Sequence, residues 1–578
     1  MRRRSLAALD NKKHMPFLDF SPGKTRVLSF ILLACGAAGA LAYWIALGTP
    51  VEVRDAADNS VQCMSYAPYR RAEQTPHDPD FIVSPSQIEA DLAILSRRTD
   101  CVRTYSVAKG QSEIPRIARK FGMKVIMGMW IGRDTLKNEQ EITLGLEVLQ
   151  RDSDAIRSVI VGNEVLLRGE LTEAKLRQYI DRVREATSLP VSYAEVWEYW
   201  LRHPRVAEST SFVTIHILPY WEDDPAPIDR ALAHVQWVYK KVQDAFPGRE
   251  ILIGETGWPS AGRNRHGAQP SAVNQARFIR EFSLLALSER MQYNIIEAFD
   301  QPWKRLQEGT VGGYWGLYAA DGEEKFSFFG PVAEEPMWMS GIFGAALGSA
   351  VLVGFAFYRT GAATRTALAT LALGGIIVGA IAVAQWFAFQ RGAHDSVEWW
   401  LLGLYTLFVP WLGIRLIQSV ARWMDSGHIS RPAPLSGFAR WFNTNVRTYR
   451  SIERALGLLR FLFLVAAAIV CLLHVVDPRY RDFPVAMFLL PACGFALLGW
   501  IAVHSEHFAD DVRAHADVEE RVLALWLIPS AISISLREGW ANPHAQIWAL
   551  LCLLFAFAVL WPDRRLRQLR DTRQSKHA

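Results

Sequence analysis

The sequence predicts an α/β protein: a (β/α)8 TIM barrel over residues 48–336, followed by a multi-span α-helical membrane domain over residues 337–562. Three observations carry this. Eight short apolar or β-branched runs recur between residues 61 and 298, separated by amphipathic stretches of helical period. Beyond residue 337 charge thins out and the apolar runs reach membrane length. A composition of 50% hydrophobic and 21% charged residues over 578 positions is apolar for a soluble protein and polar for a pure transporter.

Taken in order, a basic segment over residues 1–26 carries Arg2, Arg3, Arg4, Lys12, Lys13, Lys24 and Arg26, then an uncharged run at 27–47. That run is long enough to cross a hydrocarbon core of about 30 Å. It is too long for a typical signal-peptide core and lacks a cleavage site at its end, so an uncleaved anchor is expected.

Strands are expected at 61–66, 101–105, 124–130, 158–161, 190–193, 212–217, 250–254 and 293–298, with helices at 86–98, 112–121, 138–151, 172–187, 226–246 and 272–287 between them. Alternation of this kind, with continuous apolar strands, marks a parallel sheet covered on its outer face. Eight repeats favour closure. An open doubly wound sheet would carry a glycine-rich phosphate loop after its first strand, and Tyr66-Ala67-Pro68-Tyr69 is unlike one.

Seven further spans are expected near 337–358, 366–390, 399–420, 457–476, 483–503, 522–536 and 541–561, the one at 522–536 being short. Eight spans in all place both chain ends on one side and the barrel on the other. Charge supports this: the 415–460 loop is rich in arginine, and the tail over residues 563–578 holds Arg564, Arg565, Arg567, Arg570, Arg573 and Lys576. The acidic 504–521 loop, expected on the same side, is a mild misfit.

The six cysteines form no CxxC pair, so a structural zinc site is not expected. Cys63 and Cys101 fall on adjacent strands, as a disulfide in an oxidising compartment or as two buried thiols. The formal charge of +5, with no basic patch interleaved with aromatics, gives no reason to expect nucleic-acid binding.

The active site of such a barrel lies at the C-terminal ends of its strands. Glu164 follows the fourth strand in Gly162-Asn163-Glu164, and Glu255 follows the seventh in Gly254-Glu255-Thr256-Gly257-Trp258-Pro259. Two carboxylates facing one mouth suit glycoside cleavage, one protonating the leaving oxygen and the other attacking the anomeric carbon. Tyr66, Tyr105, Trp130, Trp197, Tyr220, Trp221, Trp258 and Trp303 all fall at or just past strand ends. As a set they suggest a groove for sugar rings; each alone is as readily packing as a subsite. Arg103, His216 and Gln301 are candidate hydrogen-bond partners of substrate, Arg103 equally a buried ion-pair partner. Glu195, ending the fifth strand, is a reserve candidate that could bind a sugar hydroxyl. Glu89, Asp91, Glu139, Glu141 and Glu147 are expected on solvated helix faces.

At these segments the sequence resembles glycoside hydrolase family 17, the β-1,3-glucanase and glucanosyltransferase family. Asn163-Glu164 is similar to an acid/base motif shared by many retaining barrel glycosidases. Glu255-Thr256-Gly257-Trp258-Pro259-Ser260 resembles the more specific nucleophile motif, and Asn274-Gln275-Ala276 the helix after it. Glu297-Ala298-Phe299-Asp300-Gln301-Pro302-Trp303-Lys304 looks like a proteobacterial, membrane-associated branch tied to β-(1,3)- and β-(1,6)-glucan synthesis. The resemblance covers roughly residues 60–330. It implies a retaining mechanism with Glu164 as acid/base and Glu255 as nucleophile, Asn163 binding the hydroxyl beside the anomeric carbon, a β-glucan substrate, and neither metal nor cofactor. It also implies a multi-pass protein of a bacterial inner membrane with its barrel in the periplasm, with a separate glucan synthase as a candidate partner.

Three rivals fit less well. A nucleotide-sugar-dependent synthase needs a large cytoplasmic domain with clustered aspartates, and the 415–460 loop holds one Asp. An ion-coupled transporter needs ionisable residues within its spans, which are nearly free of them. A purely binding barrel has no reason to keep both glutamates.

Overall fold

The structure, a computed structural model, describes residues 22–360, 364–393, 395–434, 451–505 and 516–577. Arg2, Arg3, Arg4, Lys12 and Lys13, the arginine-rich stretch at 435–450 and most of the acidic loop lie outside them.

Eight parallel strands close into a barrel in chain order: β1 (Met64–Ser65), β2 (Cys101–Arg103), β3 (Lys124–Met129), β4 (Ile156–Asn163), β5 (Val191–Val196), β6 (Val213–His216), β7 (Ile251–Thr256) and β8 (Gln292–Ile295). Closure is made where Met64 of β1 pairs with Ile295 of β8. All eight expected runs overlap a strand, with ends displaced by at most three residues. Outer helices follow as expected: α2 (Pro85–Leu95), α4 (Thr135–Asp152), α5 (Glu173–Ala186), α7 (Ile228–Ala245) and α8 (Ala272–Glu289), with α3 (Ile114–Ala118) flanked by 3-10 turns. Their starts are set by side-chain caps: Ser84, Asp134, Thr172 and Ser271 each accept a hydrogen bond from a first-turn amide. Two short helices were not anticipated, α6 (Trp197–Arg202) after β5 and α9 (Arg305–Glu308) after β8.

The barrel core is the apolar layer between strands and helices, while the floor of the lumen holds Ile126, Ile160, Ala194, Phe212 and Leu252 beside Cys63 and Cys101. Those two cysteines are disulfide-bonded, with Cα atoms 4.5 Å apart, which decides between the two readings of the pair.

The anchor α1 (Pro22–Gly48) and α10 (Met339–Thr360), α11 (Arg365–Gly392), α12 (Ser396–Ser426), α13 (Ser451–Val476), α14 (Val485–Val503), α15 (Val518–Glu538) and α16 (Pro543–His577) form the membrane bundle. Seven of these are long and apolar enough to cross a bilayer. The eighth, α15, falls short because only 15 residues separate Arg521 from Arg537. It nevertheless runs from one end of the bundle to the other. Glu520 at its start pairs with Arg460 in the first half of α13, and Glu538 at its end pairs with Arg263 of the barrel. Among the described residues, seven helices of the bundle are of membrane-crossing length and hydropathy, and α15 packs with them as an eighth bundle helix.

The barrel rests on the bundle through the loops at its C-terminal face. After β6, Trp221 O accepts from Arg479; after β7, Arg263 reaches Arg481 O and Glu538, and Asn264 O accepts from Asn542; after β8, Arg305 donates to Arg391 O. All three bundle loops involved lie at the same end, the end the span count assigns to the barrel's side.

Candidate active site

The turn after β4 is built to aim one carboxylate inward. Gly162 has φ +86°, and a Cβ there would lie 2.9 Å from Val165 Cγ2. Glu164 itself has φ 54°, in the left-handed region that non-glycine residues rarely occupy. Its amide is fixed on Ala194 O at 2.8 Å. The following turn is held by Glu195, which is fully buried and accepts from the amides of Leu166 (3.2 Å), Leu167 (3.1 Å) and Val196 (2.9 Å), and from the Tyr193 hydroxyl. Burial raises the Glu195 carboxyl above its ordinary range. With its oxygens committed in this way, Glu195 positions the Glu164 turn and does not face a ligand.

Glu255, at the end of β7, meets Glu164 across His216 from the end of β6. His216 Nδ1 is 2.7 Å from Glu164 Oε1, and its Nε2 is 3.6 Å from Glu255 Oε1. Arg103 of β2 donates to Glu255 Oε1 at 2.8 Å, to Gly254 O at 3.0 Å and to Asn163 Oδ1 at 2.5 Å. Tyr105 donates its hydroxyl to the same Glu255 oxygen at 2.8 Å. Arg103 is thus the buried ion-pair partner of Glu255 and is 1% exposed. Burial alone would raise the Glu255 carboxyl, but the charges of His216, Arg103 and Lys304 and the Tyr105 hydrogen bond outweigh it and hold the group below the usual carboxylate range.

Glu164, His216 and Glu255 offer donor atoms that all lie within 4.8 Å of one another, an arrangement that could hold a metal ion. The Arg103 guanidinium lies 2.8 Å from Glu255 Oε1, so a divalent cation held through that oxygen would meet a fixed positive charge at contact distance.

The structure divides the expected aromatic set. Tyr66 is fully buried with its hydroxyl on Asp91 of α2 at 2.8 Å, so Asp91 is also buried and not solvated as expected. Tyr220 is buried and donates to Arg263 O; Trp258 is buried, stacked on Phe278 of α8. Trp197 packs against Trp237 of α7 and donates to Glu222. Gln301 is buried too, its amide on Ala67 O. These side chains point outward into the strand–helix layer or into loop cores. Glu141, expected on a solvated face, is likewise buried and accepts from the amides of Val107 and Trp130. Trp130 remains 42% exposed with the Arg168 guanidinium 4.4 Å from its ring centre. Trp303 is half-buried, its indole N–H on Gln301 Oε1.

Sequence reasoning assigned no role to Glu297 or Lys304, although it quoted both in one motif. Glu297 lies just past β8, is fully buried, and receives Lys304 Nζ at 2.6 Å. Burial pushes its carboxyl up to about 7 against the opposing pull of Lys304, and the charge of Glu255 adds to the rise. Asp300 is likewise pushed up to about 6 by burial while bonded to Lys325. An acidic and a basic residue seven positions apart beyond the last strand was the available signal.

Residues 63–316 match the BtgE/BtgC glycoside hydrolase domain family. The barrel is similar to that domain. Among curated relatives, a putative glucan endo-1,3-beta-glucosidase btgC of Aspergillus niger is 27% identical over 262 residues, 40% of this chain and 37% of the relative. A glucan 1,3-beta-glucosidase of Arthroderma benhamiae is 25% identical over 260 residues, 42% of this chain and 84% of the relative. A glycoside hydrolase family 17 beta-1,3-glucanosyltransferase of Rhizomucor miehei matches in structure with a TM-score of 0.41 at 25% identity, over 46% of this chain and 96% of that one. The chain thus spans little more than a third of the Aspergillus relative it matches.

These relatives are fungal, as are the further ones from Emericella nidulans and Saccharomyces cerevisiae. They overturn the expectation of a proteobacterial branch, and with it the placement in a bacterial inner membrane with a periplasmic barrel. The reason is physical as well: the charge bias of loops orients helices across a membrane without saying which organism's membrane it is. Multi-pass membrane association stands, on the seven helices of sufficient length and hydropathy.

Proposed function

We propose that this chain is a membrane-anchored retaining enzyme that cleaves, and transfers, β-1,3-linked glucosyl units. Glu255 is the nucleophile and Glu164 the acid/base, and the barrel stands on the membrane face opposite the basic C-terminal tail. The observation that carries this reading is the spacing of the two carboxylates, whose facing oxygens lie within 4.8 Å. A separation near 5–5.5 Å suits attack by one carboxylate, whereas an inverting enzyme keeps roughly 6.5–9.5 Å for an intervening water.

The hydrogen bonds to Glu255 among the described residues fall on Oε1, which leaves Oε2 to attack the anomeric carbon. Glu164 delivers a proton to the departing glycosidic oxygen. The covalent glucosyl-enzyme is then resolved by water or by a sugar hydroxyl, with Glu164 now taking the proton. Arg103 keeps the nucleophile ionised and also occupies Asn163 Oδ1, so that the Asn163 amide N–H groups are the ones to meet the hydroxyl beside the reacting carbon. Trp130, Tyr105 and Trp303 supply the aromatic surface for neighbouring rings.

A second reading is favoured by the docking of the β6, β7 and β8 loops on the bundle: the barrel binds or branches a glucan produced at the membrane by a separate synthase. Product analysis decides. Full-length protein is incubated with β-1,3-gluco-oligosaccharides of defined length, with Glu255→Gln beside it. Shorter products mean hydrolysis, and longer or β-1,6-branched products mean transfer. Folded protein that turns over no β-glucan refutes both the mechanism and the assignments.

A further inference from the structure

Beneath the barrel, a crevice of about 2020 Å³ opens between α1 and α11 on one side and α14 and α16 on the other. Its walls at bilayer depth are apolar, with Leu28 and Leu32 of α1, Ile381 and Ala384 of α11, Leu489 of α14 and Leu554 of α16 among them. From Leu28 to Leu47 the α1 lining covers 19 residue steps, roughly 29 Å of helix, which is the depth of a hydrocarbon core. The upper end is polar and lies under the loops that follow β7 and β8, where Ser260, Gln269, Arg305, Gln307, Tyr314 and Lys325 face it.

Two features specify the occupant. Hydrocarbon is the only chemistry the lower walls can solvate, because a groove between helices at that depth offers no hydrogen-bond partners. The rim repels anions: acidic side chains outnumber lysines and arginines there by eight to four. Lys325 is bonded to Asp300, Arg391 to Glu335, and Arg481 lies 3.6 Å from Asp477. Arg305 donates to Pro302 O and Arg391 O, so the rim carries a net negative charge beside hydroxyl, amide and phenol groups, which suits a neutral, hydroxyl-rich headgroup over an anionic one. The same one-turn helix, α9, lines the crevice with Arg305, Leu306 and Gln307 and carries Glu308, whose carboxyl feels the charges of Glu164 and Glu255. Lys304, the residue before this helix, bonds Glu297 just past β8 at 2.6 Å, so the rim is continuous with the β8 loop of the catalytic face.

We infer that this crevice binds a neutral glycolipid, its alkyl chains between α1 and α14 and its sugar headgroup beneath the β7 and β8 loops, presenting a membrane-held glucosyl chain to the catalytic mouth. The inference rests on the proposed β-glucan activity and names its substrate as a lipid-anchored one. The resolving step keeps its balance: the sugar hydroxyl of the anchored chain adds to the anomeric carbon, the bond to Glu255 breaks, and the hydroxyl proton goes to Glu164.

The test uses full-length protein in phosphatidylcholine nanodiscs, prepared without sugar-headed detergents, which would compete. The probes are a β-1,3-gluco-oligosaccharide and the same oligosaccharide carrying an alkyl aglycone. Because the alkyl probe concentrates in any bilayer, the informative quantity is its response to filling the crevice. Ala384→Trp and Leu489→Trp, made separately so that one misfolded variant does not end the test, should each raise KM for the alkyl probe at least ten-fold and leave KM and kcat for the free oligosaccharide unchanged. Turnover of both probes with no such difference overturns the glycolipid inference and leaves the catalytic reading intact. Should neither probe be turned over, binding of a brominated alkyl probe to Glu255→Gln protein, read by quenching of tryptophan fluorescence and lost in the filled variants, sustains the crevice and removes the catalytic reading. Absence of binding overturns the crevice as well.

Discussion

The carboxylate cluster and the aromatic set occupy the same strand ends, yet the fold treats them in opposite ways. Glu164 and Glu255 point into the mouth and are held there by His216, Arg103 and Tyr105. Tyr66, Tyr220 and Trp258 stand one to four residues past a strand and turn into the strand–helix layer, where they are fully buried. A charge at a strand end has few low-energy places to go, because outward burial would strip its hydration. A tyrosine or tryptophan has two, since its ring is as stable in the core as against a sugar. An acidic residue at a strand end is therefore held by the mouth or by the turns that shape it, as Glu195 is, whereas an aromatic one reports only proximity to the mouth.

The sharpest way to test that contrast is to remove the proposed nucleophile, Glu255. Glu255→Gln keeps the shape of the site and removes the attacking charge. It should lower kcat on β-1,3-gluco-oligosaccharides by at least about 10³-fold, or more than about 4 kcal/mol at the transition state, with folding intact by circular dichroism. Glu164→Gln should approach that loss on a natural glycoside. On an aryl glucoside, whose leaving group needs no proton, it should lose much less. Equal losses on the two substrates would take the acid role away from Glu164.

The aromatic side of the comparison is tested by paired truncations. Trp258→Ala should cost about 3–5 kcal/mol of stability through the cavity it opens against Phe278, seen as a large fall in the melting temperature. Trp130→Ala should barely change the melting temperature and should raise KM by roughly ten-fold, as expected for loss of one exposed stacking surface. A swapped pattern would mean that the buried ring contacts substrate.

Arg103→Met probes the electrostatics joining the cluster. Arg103 lowers the Glu255 carboxyl, so its removal moves that group upward, and the acidic limb of the kcat/KM profile should shift to higher pH. The linked stability effect has a definite sign. A depressed folded-state value contributes stability that is present above the unfolded value near 4.3 and lost as pH falls through the lower folded value. The variant should lose this contribution, and part of the buried-pair energy with it.

What the sequence made legible follows the same physics. The barrel was readable because continuous apolar strands alternating with amphipathic helices leave few other packings, and its eight strands appear where the runs are. Glu164 and Glu255 were singled out because a charge at a strand end has few low-energy places to go, and the structure brings the two together across His216; their catalytic roles are proposed. Glu195 was misjudged because its backbone partners, the amides of Leu166 and Leu167, come from a different strand's loop and leave no trace in the local sequence. The α15 helix was the weakest expectation because Arg521 and Arg537 bound its short apolar stretch, and the partners of its end glutamates Glu520 and Glu538, Arg460 and Arg263, lie 60 and 275 residues away. The docking of the catalytic face on the bundle had no sequence signal at all.

Glu297 gives the smallest effect and the finest test of how the mouth is balanced. Its carboxyl is pushed up to about 7 by burial, in the same cluster where Glu255 is held down. A raised carboxylate makes folding bind a proton that the unfolded chain releases near 4.3. Its contribution to stability is therefore full below about pH 4 and declines as pH rises toward 7. Glu297→Gln, which keeps the shape and does not titrate, should flatten that decline, giving a melting temperature that changes less than wild type between pH 4.5 and pH 7. Lys304 then loses its 2.6 Å partner and turns more of its charge on Glu255, so the acidic limb of the kcat/KM profile should move slightly to lower pH, opposite to Arg103→Met. Should the two variants shift that limb in the same direction, Glu297 would be reporting on the structure of the β8 loop and not on the charge balance around the nucleophile.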